Sequence, residues 1–237
     1  MALTRPLLIS IVIPCYNEGE IIKESLFRLK TAAATFSWPV EIVVADDGST
    51  DDTAKIARQA GVTVTSYETN KGKGCALRTG VAATTGDVLL LTDADLAYGT
   101  QALKEAHTLL CSSGVDLVCG SRRLCQGSDN GYPPLRKLAS RGFAAFQKIA
   151  LGLPMSDTQC GLKALKGDVG RALFADCTVD DFACDLELLA LAMQRGCTYR
   201  ELPVRLETHG ASSVHLVRDS LRMAKQTLRI RRLMRKP

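Results

Sequence analysis

Two aspartates one residue apart, Asp93-Ala94-Asp95, follow four apolar residues, Val88 to Leu91, in the stretch GDVLLLTDADLAYGT. Four consecutive apolar residues after a Gly-Asp turn signal leave no polar face for water, so the run reads as a strand buried on both sides. The carboxylates then emerge at the carboxyl edge of a sheet, where open α/β sheets bind their ligands. A hard divalent cation such as Mg2+ or Mn2+ prefers oxygen and is commonly held by one or two carboxylates plus substrate phosphates. Asp93 and Asp95 are therefore candidate metal ligands, and one of them could instead take a sugar or ribose hydroxyl. Asp46 and Asp47 end a second expected strand, Val40 to Ala45, in the same manner. If the two strands are parallel neighbours, both acidic pairs face one crevice, where a cation or ribose hydroxyls would relieve their repulsion. Helix capping is the competing reading of an Asp at a strand end, and it suits Ser49 and Asp51.

Cationic candidates are also present. The string NKGKG, residues 70 to 74, lacks the GxxxxGK[ST] spacing of a P-loop and could be only a solvated loop, but it makes Lys73 a candidate for the nucleotide or sugar. Arg122, Arg123, Arg136, Arg141 and Lys163 follow the sheet in sequence and could form a cationic pocket, arginine being suited to bidentate phosphate recognition. Solvated surface arginines are the alternative. A dinucleotide dehydrogenase would need GxGxxG directly after the first strand, and that position holds PCYNEGE.

The elements that must position these residues alternate. Leu7 to Ile13 reads as a first strand closed by Pro14, followed by a helix with Ile21, Ile22, Leu26, Leu29 and Ala33 at helical spacing. Val40 to Ala45 and Val62 to Thr65 are further strands, separated by a helix with an acidic N-cap region. Helices are expected over about 75 to 83 and 101 to 112, and strands at Val88 to Leu91 and in DLVCGS. Strand and helix alternating at these lengths predict an α/β fold with a mostly parallel central sheet and helices on both faces. The second half is less regular: a loop feeding a helix around residues 121 to 150, a short strand after DTQCG, and an amphipathic helix from Asp181 to Arg195.

At 237 residues and 46% hydrophobic content the chain can bury a large core as one domain, here expected over residues 1–213, with a C-terminal extension over 214–237. Nine cysteines form no CxxC pair and no zinc-like spacing, which suggests reduced thiols and a cytoplasmic location. No segment approaches the roughly 18 consecutive apolar residues of a membrane span, and no cleavable signal is visible. From Val214 onward eight Lys or Arg stand against Asp219, so the extension's +7 exceeds the whole chain's +5 and leaves residues 1–213 at about −2. The extension places Val214, Val217, Leu221, Ala224 and Leu228 at spacings of three or four beside Arg218, Arg222, Lys225, Arg229 and Arg232. Such a basic amphipathic helix suits an anionic membrane surface, although a terminal helix docking on its own domain shows the same pattern. No aromatic platform accompanies the charge, so nucleic acid is not an expected partner.

Five ordered motifs, IVIPCYNE, VVADDGSTDDT, NKGKGCALRTG, LTDADLAYGT and GSRR, resemble family 2 glycosyltransferases of the GT-A fold over roughly residues 8 to 123. SDTQCGLKAL and DFACDLELLALA are similar to the branch that glucosylates dolichyl phosphate and its bacterial polyprenyl-phosphate relatives. The resemblance implies a nucleotide-sugar site in which Pro14, Tyr16, Glu18, Asp46 and Asp47 surround base and ribose. It puts Asp93, Ala94 and Asp95 at the metal and diphosphate, and Arg122, Arg136, Ser140 and Lys163 near the acceptor phosphate or donor diphosphate. Tyr98-Gly99 and Cys184 depart from the family's usual residues, which bears on the donor sugar. The expected reaction is metal-dependent, inverting transfer of a hexose, glucose from UDP-glucose first, to a polyprenyl phosphate. A peripheral position on the cytoplasmic membrane face goes with it. GDP-mannose, a soluble hydroxyl acceptor with Asp185 as base, and a silent nucleotide-sugar-binding or scaffold protein are the alternatives. A phosphate acceptor has a second pKa of about 6 and is largely anionic at neutral pH, so no strong base is needed and Asp185 could instead orient other groups.

Overall fold

A computed structural model describes residues 7–36, 38–125, 134–207 and 216–234; within the helices, the side chains of 134–141, 144 and 216–222 are not among the described ones. In chain order the elements are β1 (Ile9–Cys15), α1 (Ile22–Ala33), β2 (Val40–Asp46), α2 (Thr53–Gln59), β3 (Thr63–Ser66), α3 (Lys73–Ala82), β4 (Val88–Leu91) and α4 (Gly99–Ser113). They continue with β5 (Leu117–Ser121), α5 (Pro134–Leu151), β6 (Lys163–Lys166), α6 (Gly167–Asp176), α7 (Cys184–Gln194), β7 (Tyr199–Pro203) and α8 (Leu216–Met234). The strands form one sheet in the order β3-β2-β1-β4-β6-β5-β7. All neighbours are parallel except β6, which runs antiparallel to both β4 and β5.

Alternation along the strands divides the core into two layers. Ile9, Ile11, Ile13, Val44 and Leu90 face Leu26 and Leu29 of α1 and Leu103 and Leu110 of α4. Val12, Val43, Leu89 and Leu91 face Leu77 and Val81 of α3, Leu173 of α6 and Leu186 and Leu189 of α7. All four residues of β4 are buried, as a strand covered on both faces requires.

Some expectations shift. Pro14 does not close β1 but lies inside it, in register with Ala45. Pairing with β4 ends at Val12, and the backbone of every second residue points to that side, so the missing N–H of Pro14 costs no ladder bond. Nothing in the residue pattern had marked α6 or β7 as elements, or β6 as antiparallel. The reversal of β6 places its first residue, Lys163, beside Leu91 and Cys119 at the rim where its parallel neighbours end.

Of the apolar stripe expected in the extension, Val214, Val217 and Leu221 lie outside the residues whose side chains are described. α8 packs on α5 and α7 through Thr227 and Ile230, both fully buried, with Met223 and Met234 one turn away, whereas Leu228 faces solvent beside Lys225, Arg229 and Arg232. Gln226 Nε2 donates to Asp181 Oδ2 (2.9 Å), which fixes the rotation of the helix. The boundary expected at residues 213/214 lies outside the described residues.

Candidate functional site

The loops after β1, β2 and β4 meet at one rim because their strands are parallel neighbours. The first two are laced together: Asn17 N donates to Ser49 Oγ (2.9 Å), Thr50 N to Asn17 Oδ1 (2.8 Å), Glu18 N to Thr53 Oγ1 (2.8 Å) and Gly19 N to Asp51 Oδ2 (2.9 Å). Asn17 takes a left-handed φ of 55°, which Asn tolerates better than most residues. Tyr16 is exposed at this rim and Pro14 half-buried below it.

Asp46 and Asp47 are both buried, and their oxygens are spent on protein donors. Asp46 accepts from Ser66 Oγ (2.8 Å). Asp47 accepts from Tyr67 Oη (2.6 Å), Asn70 Nδ2 (2.9 Å), Lys71 N (2.8 Å) and Gly72 N (2.8 Å). These donors use the acceptor capacity of the Asp47 carboxylate, and the strands that carry the two acidic pairs are not direct neighbours, since β1 lies between β2 and β4. Asp47 instead shapes the glycine-rich loop that delivers Lys73.

After β4 the chain turns at Asp93, whose carbonyl accepts from Leu96 N (3.1 Å), while Asp95 Oδ1 accepts from Ala97 N (3.0 Å). Leu96 has φ 49°, a strained value for a non-glycine residue, held by a side chain wholly buried in the core. Ala94 is buried and spaces the two acids. Lys73 Nζ lies 2.7 Å from Asp93 Oδ1 and 3.9 Å from Asp185 Oδ2. Asp185, in the first turn of α7, accepts from Lys163 Nζ at 2.5 Å, and Lys163 also donates to Cys160 O (2.7 Å). Two ammonium groups and two carboxylates thus alternate from the interior to the rim.

Electrostatics separates the acids. Burial works against the Asp93 carboxylate, but the charge and hydrogen bond of Lys73, with Lys163 and Arg122 beyond, hold it below the ordinary range. Burial and the charge of Asp93 push Asp95 up against the backbone donation it receives. Burial, then the charges of Asp95, Asp51 and Asp93, push Glu18 up. Among the described residues neither Asp95 nor Glu18 forms an ion pair, so negative charge without a counterion gathers at the rim.

Lys163 does not reach the crevice as expected: its side chain is 1% exposed, and its donors go to Asp185 and Cys160. It starts an antiparallel strand whose rim end is covered by α7, which makes it the counterion of Asp185. Arg122, just past β5, is gripped in a fork by Asp157, with Nε 2.7 Å from Oδ2 and Nη2 3.0 Å from Oδ1, and keeps about a third of its side chain exposed. Asp157 was not anticipated, and nothing in its spacing to Arg122 announces the pairing. Ser156 anchors that loop by donating its N–H to Glu201 Oε1 of β7 (2.7 Å) and sharing a hydrogen bond with Ser121 Oγ (2.5 Å). Gly161 was also missed: a β-carbon there would collide with the Asp93 carboxylate. Arg136 and Ser140 fall on α5, and their side chains lie outside the described residues, as does that of Arg141.

A mostly parallel α/β sheet whose acidic loops converge at the ends of β1, β2 and β4, closed by an antiparallel β6, defines the GT-A class of nucleotide-sugar-dependent transferases. The comparisons agree with that class. Residues 10–174 match the model for glycosyl transferase family 2. The chain belongs to that family. It is 32% identical over 229 residues to glycosyltransferase AglD of Haloferax volcanii, which covers 93% of this chain and 36% of that protein. It is 31% identical over 222 residues to dolichyl-phosphate beta-glucosyltransferase ALG5C of Trichomonas vaginalis, covering 86% of this chain and 65% of that protein. The chain therefore spans about a third of the first relative and just under two thirds of the second. The fold is shared with glucosyl-3-phosphoglycerate synthase of Mycobacterium tuberculosis, solved with Mn2+, uridine diphosphate and phosphoglyceric acid. Its TM-score is 0.74 at 23% identity, over 98% of this chain and 80% of that one.

Proposed function

We propose that the protein transfers a hexose, glucose from UDP-glucose in the first instance, to a polyprenyl phosphate with inversion at the anomeric carbon. The observation that carries this reading is the division of charge at the rim. Asp95 and Glu18 stand without a cation of their own, beside a Lys73 and an Arg122 already anchored by protein carboxylates. Uncompensated acids with raised pKa values favour the arrival of positive charge, and anchored cations favour phosphate. Relatives named as dolichyl-phosphate beta-glucosyltransferases support the acceptor, and the synthase solved with UDP-glucose supports the donor.

A divalent ion fits these residues. Among the described residues no three His, Cys, Asp or Glu side chains converge on a metal position, so Asp95, with Asp93, would hold Mg2+ or Mn2+ together with donor phosphate oxygens. Bound there, the ion would supply Lewis-acid stabilisation of the departing nucleoside diphosphate. Lys73 leans on Asp93 within reach of the same crevice and would add charge to the diphosphate. Arg122, its guanidinium oriented by Asp157, would hold the acceptor phosphate and offset repulsion between the two phosphates. Asp185 is bracketed by Lys163 and Lys73 and almost fully buried, which suits a counterion that fixes both ammonium groups better than a base. That arrangement matches an acceptor oxygen already anionic at neutral pH. The exposed Lys225, Leu228, Arg229 and Arg232 of α8 would meet an anionic bilayer, and no described helix is long and apolar enough to cross one.

The direct test incubates the protein and Mg2+ with radiolabelled UDP-glucose, GDP-mannose and other nucleotide sugars plus polyprenyl phosphate, and follows label into the organic phase. Label from UDP-glucose is expected. Transfer only to a water-soluble acceptor would reject the lipid reading. Asp185→Asn is expected to retain measurable transfer, and complete loss at a temperature where the variant is folded would restore Asp185 as the base.

A further inference from the structure

Glu187 lies two residues beyond Asp185, nearly opposite to it around α7, and is 1% exposed. A buried carboxylate is costly unless hydrogen-bonded, and this one takes three donors from a single segment. Oε2 accepts from Thr178 N (2.8 Å) and Val179 N (2.7 Å), and Oε1 accepts from Thr178 Oγ1 (2.8 Å). Among the described residues no cation pairs with it. The three bonds hold residues 178 and 179 against α7.

The far side of the same segment grips the first two turns of α3. Asp180 O accepts from Gly74 N (2.7 Å), Val179 O accepts from Arg78 Nη1 (3.0 Å), and Arg78 also pairs with the Asp180 carboxylate. Gly72 and Gly74 approach so closely that a β-carbon on either would collide with the carbonyl oxygens of Asp180 and Val179 respectively. Lys73 is the residue between those glycines, so the height of the 178–180 segment decides where its ammonium stands between Asp93 and Asp185.

We propose that Glu187 is a positioning residue that acts through this segment to set Lys73 for the donor diphosphate. The proposal rests on the reading in which Lys73 contacts that diphosphate. Helix α7 then indexes the ammonium from two directions, by the Asp185 charge and by the Glu187 clamp on the loop beneath it. A carboxylate suits the clamp because an ionised acceptor strengthens all three hydrogen bonds, while a carboxamide could keep one oxygen on both N–H groups and turn its NH2 to Thr178 Oγ1, but without the charge.

The test is a double-mutant cycle read as UDP affinity by calorimetry in Mn2+. Lys73→Met is expected to weaken UDP roughly tenfold or more, the scale of a lost charge-assisted contact, and Glu187→Gln roughly tenfold. The double variant should then bind within about twofold of Lys73→Met, because the clamp has nothing left to position. If the two fold-changes multiply instead, the inference is wrong. If Lys73→Met binds UDP like the wild type, the reading of Lys73 fails first, and the outcomes are thereby distinguishable. Leu189→Ala, a buried apolar change on the same helix, should keep wild-type UDP affinity below its melting temperature; weakening equal to that of Glu187→Gln would mean general softening and overturn the proposal. Should Glu187→Gln not fold, Thr178→Val removes only the hydroxyl donor and should show a smaller loss that again vanishes beside Lys73→Met.

Discussion

Replacing Lys163 by Met removes the buried end of the charge chain and exposes its energetics. Lys163 Nζ sits 2.5 Å from Asp185 Oδ1 and 2.7 Å from Cys160 O, with side chains 1% and 7% exposed for the pair. After the change the Asp185 charge would keep only Lys73, 3.9 Å away, and the Cys160 carbonyl would lose its donor. Breaking one partner of a buried ion pair costs about 3–5 kcal/mol because the remaining charge is stranded. For a chain of this length each kcal/mol moves the melting temperature by about 2–4 °C, so a fall of roughly 6–20 °C is expected by scanning calorimetry. Lys163→Met combined with Asp185→Leu strands no charge in that pair and should recover most of the loss. The pH dependence has a definite sign. Burial opposes the Lys163 ammonium, but the Asp185 charge holds its pKa above the ordinary value. Its contribution is therefore complete below the unfolded lysine pKa of about 10.4 and fades only as pH climbs through the higher folded value. The gap between wild type and Lys163→Met should accordingly be constant across neutral pH and narrow in strong alkali. A melting temperature within 2 °C of wild type, or a double variant weaker than the single one, would refute the buried-counterion account.

Other outcomes follow from the same geometry. Asp95→Asn should abolish transfer yet melt no lower than wild type without divalent ions, since with a raised folded pKa the ionisation of Asp95 begins to oppose folding as pH rises through the unfolded value of about 3.9 and does so fully above the folded one; a clear drop in calorimetry would contradict this. Asp93, with its lowered pKa, stabilises the fold above the unfolded value of about 3.9 and loses that contribution as pH falls through the folded one, so acid titration should bring wild type and Lys73→Met together. Arg122→Lys keeps the charge but loses the fork with Asp157, and kcat should fall about 10- to 100-fold with little change in UDP affinity. An unchanged kcat would remove Arg122 from the acceptor site.

The core strands were legible because burial on both faces leaves a local signature: Val88 to Leu91 and Ile42 to Ala45 are apolar without a break. The acidic pairs were visible for the same reason, as charges placed abruptly after such runs. β7 escaped notice because its residues, YRELP, alternate only partly and lie at the sheet's edge. Which face of α8 is buried was not legible because several rotations of LVRDSLRMAKQTLRIRRLM satisfy helical spacing, and only the neighbours α5 and α7 choose among them.

Local chemistry alone determined that this chain carries a sheet-edge acidic site with the ordered motifs of a family 2 glycosyltransferase. Which of those acids remain uncompensated was decided by tertiary structure. Asp47 is consumed by a loop more than 20 residues away in sequence, Asp93 is matched by Lys73, and Lys163 is turned inward by the reversal of one strand. A pKa or a free lone pair depends on what surrounds a group in space, and sequence spacing does not encode the partners that folding brings from elsewhere in the chain.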